Sequence, residues 1–123
     1  MKRKDAIEVS EKTKRIVLER QGNKSISGVA LTGKSVEFHH VIPRSKSGVG
    51  YEWNIVAITS EEHRLYHDHL PIKVYGQELY TWEEFDTIMK NHLKSRYPKW
   101  SEQGCRYQKF FEEEDYGIER GKI

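Results

Sequence analysis

Residues 36–45 read VEFHHVIPRS, which sets two histidines side by side in what is otherwise a β-strand pattern. Val36 and Phe38 favour a strand, expected over residues 36–41, and Pro43 cannot continue a central ladder. Downstream, residues 54–58 (NIVAI) read as a second short apolar strand. The run TSEEHRLYHDHL, 59–70, opens a helix with a capping-box pattern, Thr59 at the cap and Glu62 three residues on, and Pro71 is expected to end it. In this strand, loop, strand, helix order, His39 and His40 lie on the first strand, Asn54 opens the second, and His63 and His67 lie on the helix. Four histidines and an asparagine thus fall within 29 residues. Helix positions i and i+4 share a face, so His63 and His67 can present both rings to one point. With one ring from a neighbouring strand they make a three-nitrogen metal site with open coordination positions, as a catalytic ion needs; a structural site would be closed. The remaining histidine is free for proton transfer, its ordinary pKa of ~6.5 suiting a general base near neutral pH.

One geometric constraint bears on the pair. Successive strand residues point to opposite faces, so His39 and His40 share a site only where the strand ends or bends. The backbone near His40 is therefore expected to leave regular β geometry.

The chain has 123 residues, enough for one domain, 1–123, with a single modest core. Its apolar content is low, but 7 Tyr, 4 Phe and 3 Trp supply large side chains to bury. No long apolar stretch or secretory signal pattern is visible, so a soluble cytoplasmic protein without membrane partners is expected. A single cysteine excludes an internal disulfide and a cysteine metal cluster, leaving His, Asp and Glu as ligands. Residues 1–50 carry 11 Lys/Arg against 5 Asp/Glu and residues 51–123 carry 10 against 14, so the basic half holds the histidine pair. A basic surface there would attract a polyanion such as DNA or RNA, although charge runs are more often simply solvated.

Around this core (36–70) the sequence predicts a basic N-terminal helix over 10–22, capped by Ser10 and stopped by Gly22. A short strand is expected near 24–26. A C-terminal helix over 81–97 opens with a second capping box, Thr81 with Glu84, and carries Trp82, Phe85, Ile88, Met89 and Leu93 at helical spacing as a core stripe. The tail, with Trp100, Tyr107, Phe110 and Phe111, is expected to wrap the domain. Tyr51 and Trp53 are expected to pack the loop onto the hairpin, with base stacking as the second reading.

The pattern HHVIPRS…N…H…H, His39 to His67, resembles the motif of the HNH nucleases. The resemblance implies an α+β fold with a ββα-metal (His-Me finger) core, a β-hairpin packed on a helix around one divalent ion, here flanked by the N- and C-terminal helices. Carried across by position, it implies His39, His63 and His67 as metal ligands, His40 as the base that activates water, and Asn54 as the residue that fixes loop and hairpin. Arg44, at the strand exit, would hold a phosphate with its guanidinium fork, with Lys46 a second candidate. Three nitrogens suit Zn²⁺ or Ni²⁺, while the family also tolerates Mg²⁺ or Mn²⁺.

A narrower resemblance is to small phage-encoded HNH endonucleases that act beside the packaging terminase. It rests on the flanks VLERQGNKSISG and LKSRYPKW, and implies DNA and a terminase as partners, with a monomer or weak dimer. Many of that group hold a structural zinc with two C-x-x-C pairs, whose places here are Ser25, Gly28, Thr59 and Glu62. All four cysteines are absent, so other packing is expected to support the hairpin. Two rival readings stay open: a non-catalytic, zinc-dependent nucleic-acid-binding module and a toxin-type HNH nuclease, whose receptor-binding and translocation regions the short chain is expected to lack. His92 reads as a surface or satisfied core residue; His69 and Asp68 read as solvated or as supports for a ligand histidine.

Overall fold

A computed structural model of the protein describes residues 1–118. The fold is mixed α+β, with two small antiparallel sheets among helices: α1 (Arg3–Ile7), α2 (Glu11–Arg20), β1 (Val36–His40), β2 (Ile55–Thr59), α3 (Ser60–His67), β3 (Ile72–Val74), β4 (Glu78–Tyr80) and α4 (Trp82–Arg96). Among the described residues no helix is long and apolar enough to cross a membrane.

β2 is the centre of the packing, since all five of its residues are buried. It pairs with β1 in a register that puts Phe38 opposite Ala57, His39 opposite Val56 and His40 opposite Ile55. Alternation then sorts the sheet into two faces. Ile55 and Ala57 pack with Val17 of α2 on one face, beside Val36 and Phe38. Val56 and Ile58 join Phe85, Met89 and Leu93 of α4 in the larger cluster on the other. Both capping boxes form as expected, Thr59 with Glu62 and Thr81 with Glu84, and Ser10 caps α2 by accepting from Thr13 N–H. Phe85, Met89 and Leu93 are fully buried, while Trp82 and Ile88 lie at the margin of that stripe.

Several boundaries differ from the sequence expectation. α3 stops at His67, because His69 adopts a left-handed backbone (φ 56°) and Leu70 N–H returns to the Leu65 carbonyl; the chain has left the helix before Pro71 is reached. The strand expected near 24–26 reduces to an isolated bridge between Lys24 and Ala30, since Gly28 (φ 89°) closes a tight turn by donating to the Ser25 carbonyl. Helix α1 and the β3–β4 hairpin were not anticipated. In the tail, Trp100 donates to the Trp53 carbonyl (2.7 Å), and Cys105 and Tyr107 pair with the backbone of Val49 and Ser47. Trp53 in turn donates to the Gly104 carbonyl (2.9 Å) and stacks near Tyr51. Phe110, by contrast, stands 86% exposed, so the tail grips the 43–54 loop without using that ring.

The loop itself is held from within by Asn54, whose side chain is fully buried. Its Oδ1 accepts from Ile42 N–H (2.8 Å), and its Nδ2 donates to the carbonyls of Val49 (2.8 Å) and Ile42 (3.1 Å). Gly48 belongs to the same knot, because a Cβ there would collide with the Ile42 carbonyl and press on Asn54. A second polar knot supports the N-terminus of α3. Ser25 Oγ donates to Glu62 Oε1 (2.6 Å), which also accepts from Thr59 N–H (2.9 Å), and all three residues are buried.

Replacing Asn54 by Ala strands three buried backbone groups. Each buried bond is worth about 1 kcal/mol, so the loss of stability should reach about 3 kcal/mol in urea unfolding. Asn54→Asp, which keeps the acceptor but turns a buried carboxylate oxygen onto the two carbonyls, should cost at least as much as Ala.

Candidate metal centre

β1 and α3 bring three imidazoles together. His39 Nδ1 lies 3.2 Å from His63 Nε2, and that nitrogen lies 2.9 Å from His67 Nε2; one potential ligand atom from each ring falls within 4.8 Å of the others. The i, i+4 spacing on α3 presents His63 and His67 as a pair, and strand alternation turns His39 towards them from the same face of the sheet. Two nitrogens bound to one tetrahedral ion at 2.0–2.1 Å sit roughly 3.3 Å apart, so these separations fit a shared divalent ion. This cluster can hold a metal ion. Among the described residues it is the only group of three or more His, Cys, Asp or Glu close enough to do so.

The electrostatics suit a cation. Burial, and then the neighbouring His63, His67 and His40, push His39 down to about 3. Burial and His63 also lower His67. Both rings are therefore neutral near pH 7, with lone pairs available for a metal and no net charge of their own. Glu37, two residues before His39 and hence on the same strand face, reaches His63 Nδ1 at 3.2 Å. A carboxylate on the far nitrogen leaves His63 Nε2 bare and directed into the cluster, the usual support of a ligand histidine. Glu37 escaped the sequence reading, although the period of two along β1 carried the signal. His39 Nε2 is buried with no hydrogen-bond partner, and its ring packs edge-on against Tyr66 at 5.0 Å.

His40 turns to the opposite face, as alternation requires, and its Nε2 donates to the Ile7 carbonyl at the end of α1 (2.7 Å). That bond places the proton on Nε2 and leaves Nδ1 as the acceptor. Burial lowers the pKa of His40 and the charge of Arg44 lowers it further, against the opposing pull of the Ile7 carbonyl. The ladder stays regular through the His40–Ile55 pair and bends only at Val41. The departure from β geometry expected near His40 thus comes where β1 ends. The two histidines also meet because β1 is an open edge of a two-stranded sheet, and a cleft of about 670 Å³ runs along that edge, receiving residues from both faces.

Glu37, His39, His40, His63, His67 and Arg44 all line this cleft. Lys46 does not; it is exposed at the end of a short 3₁₀ turn, Arg44–Lys46, outside the cleft wall. Lys14 of α2, not singled out by the sequence, lines it instead. Asn54 is absent from the wall and acts through the loop it holds. His69 stacks on Trp82 (4.5 Å, 14° between planes), and Asp68 pairs with Arg64 (3.5 Å), so neither touches a ligand ring. His92, on α4, has a buried Nε2 without a partner and is pushed down to about 4 by burial and by Arg20 and Arg96.

Two outcomes are expected. In calorimetric titration with Ni²⁺ or Zn²⁺, His63→Ala should abolish specific binding. Glu37→Gln should weaken it about 10–100-fold with unchanged helicity, and equal affinity would remove Glu37 from the centre. The second concerns His92. Between its folded value of about 4 and its ordinary 6.5, the unfolded chain binds a proton that the folded chain refuses. The associated stability is complete above pH 6.5 and drains as the pH falls towards 4, so His92→Gln should flatten that part of the pH–stability curve.

Comparison with family models, with curated proteins and with solved structures finds no match to this chain.

Proposed function

We propose that the protein is a metal-dependent DNA endonuclease or nickase of the HNH type, with β1, β2 and α3 as a ββα-metal core. The observation that carries the reading is the fourth histidine. A purely metal-binding module needs His39, His63 and His67, but it has no use for a neutral imidazole in the same cleft whose proton is tied to a backbone carbonyl and whose other nitrogen is bare.

A divalent ion held by His39, His63 and His67 supplies positive charge to offset the negative charge that grows on a phosphodiester under attack. The side chains of the chain do the rest. His40 Nδ1 takes a proton from water as its oxygen bonds to phosphorus, and the bond to the leaving oxygen breaks. The leaving oxygen takes up a proton from solvent, and the products are a phosphomonoester and a hydroxyl end. The bond to Ile7 holds the imidazole in the tautomer this step requires. Arg44 and Lys14, at the cleft wall, suit flanking phosphates, the guanidinium as a fork and the ammonium as a point charge. Three neutral nitrogen ligands favour Zn²⁺ or Ni²⁺ for affinity, while weaker Mg²⁺ or Mn²⁺ can serve turnover. A role in phage DNA maturation beside a terminase follows from the flanking resemblance.

The test is conversion of supercoiled plasmid to nicked and linear forms by metal-stripped protein resupplied with Mg²⁺, Mn²⁺, Ni²⁺ or Zn²⁺. Wild type should cut only with an ion. His40→Ala should cut ~10²–10⁴-fold more slowly while binding the ion as wild type does. A wild type that binds ion and DNA but never cuts would leave a zinc-dependent binding module in place of the nuclease.

A further inference from the structure

A second cavity, of about 500 Å³, opens between the C-terminal end of α2, the 24–28 turn and α4. Arg20, Lys24 and Arg96 line it with Asn91 and His92, and no Asp or Glu does. Lys24, exposed, and Arg96, half-buried, make no side-chain hydrogen bond or ion pair among the described residues. Arg20 is only 7% exposed. Its Nη groups are spent on the carbonyls of Glu52 (2.8 Å) and Ile55 (2.6 Å) and on the Tyr97 hydroxyl (3.2 Å), while its Nε has no partner. The acid nearest this group, Glu52, meets it through Tyr97 and stays outside the cavity wall. His92 Nε2 is a second buried nitrogen without a partner in the same wall. Three fixed positive charges around one hollow repel one another, and an anion within it would relieve them.

The mouth adds an aromatic group. Tyr75 is 71% exposed and adopts a left-handed backbone (φ 54°) that tyrosine seldom takes. Its N–H donates to the Ser27 carbonyl (2.7 Å), and its ring lies over Gly28, where a Cβ would sit 3.2 Å from a ring carbon. An exposed ring held at the rim of a cationic hollow suits a ligand that joins a phosphate to a flat heterocycle.

We propose that this cavity binds a nucleotide, with Lys24 and Arg96 on the phosphate oxygens and the Tyr75 ring against the base. The site is separate from the histidine cleft and requires neither a metal nor cleavage, so it stands or falls independently of the nuclease reading. Helix α2 links the two, with Lys14 in one and Arg20 in the other.

The test is a titration of the metal-free full chain followed by amide NMR shifts, using inorganic phosphate, thymidine 5′-monophosphate and the dinucleotide TpT, which has only an internal phosphodiester. The monophosphate should bind roughly tenfold more tightly than inorganic phosphate, with shifts at Gly28 and Asn91. Arg96→Gln should weaken both about fivefold or more, with Lys24→Gln as a second variant should the first not fold. Tyr75→Asn, which tolerates the left-handed backbone, should erase the advantage of the nucleotide and leave phosphate binding unchanged. A preference for TpT would assign the site to a strand interior, and a preference for the monophosphate to a free nucleotide or strand end. Absence of saturable binding by any of the three, shifts confined to the histidine cleft, or affinities untouched by both charge variants would overturn the proposal.

Discussion

The carboxamide of Asn54 is the constraint on which the rest of the molecule depends. β1 and β2 are joined by a long loop with little regular structure, and a connection of that kind ordinarily leaves hairpin register loose. Asn54 removes that freedom by binding the N–H and the carbonyl of Ile42 and the Val49 carbonyl from a fully buried position. With the loop fixed, the register that sets His39 opposite Val56 is fixed as well, and a slip of one residue would turn His39 away from α3 altogether.

Helix α1 completes what the loop begins. Gly50 N–H donates to the Ala6 carbonyl, the next carbonyl along, that of Ile7, receives His40, and Arg3 donates to the Arg44 carbonyl and the Ser47 hydroxyl. A side chain on Gly50 would collide with the Ile7 and Glu8 carbonyls, so glycine there is what lets the N-terminal turn close on the loop. The orientation of one imidazole is thus set by backbone atoms more than thirty positions away.

That explains why the site was only partly legible in the sequence. His39, His63 and His67 follow from two local periods, 3.6 on a helix and 2 on a strand, and both capping boxes are local patterns that packing had no reason to override. The partner of His40 is a main-chain carbonyl, which carries no residue signature. Lys14 reaches the cleft through the packing of α2 on the β1–β2 sheet, a contact that spacing alone does not encode. Lys46 stands outside the cleft wall because the chain turns in a 3₁₀ helix immediately after Pro43, so residues two apart no longer share a face. The β3–β4 hairpin did leave a trace, alternating Ile72 and Val74 ahead of a turn at Tyr75 and Gly76, but three-residue strands are too short to stand out.

The buried bond between Ser25 and Glu62, with Thr59 closing the knot, has a practical consequence. The positions that the phage-enzyme resemblance aligns with zinc-binding cysteines are tied here by oxygen and nitrogen, and the lone Cys105 is buried with its thiol pushed up to about 12. Thiolate chemistry therefore has no hold on this architecture. A chelator would find no cysteine-bound ion beneath the hairpin, and an oxidant finds no exposed sulfhydryl to couple. Whatever ion the histidine cluster takes up would thus be held apart from the bonds that fix the scaffold.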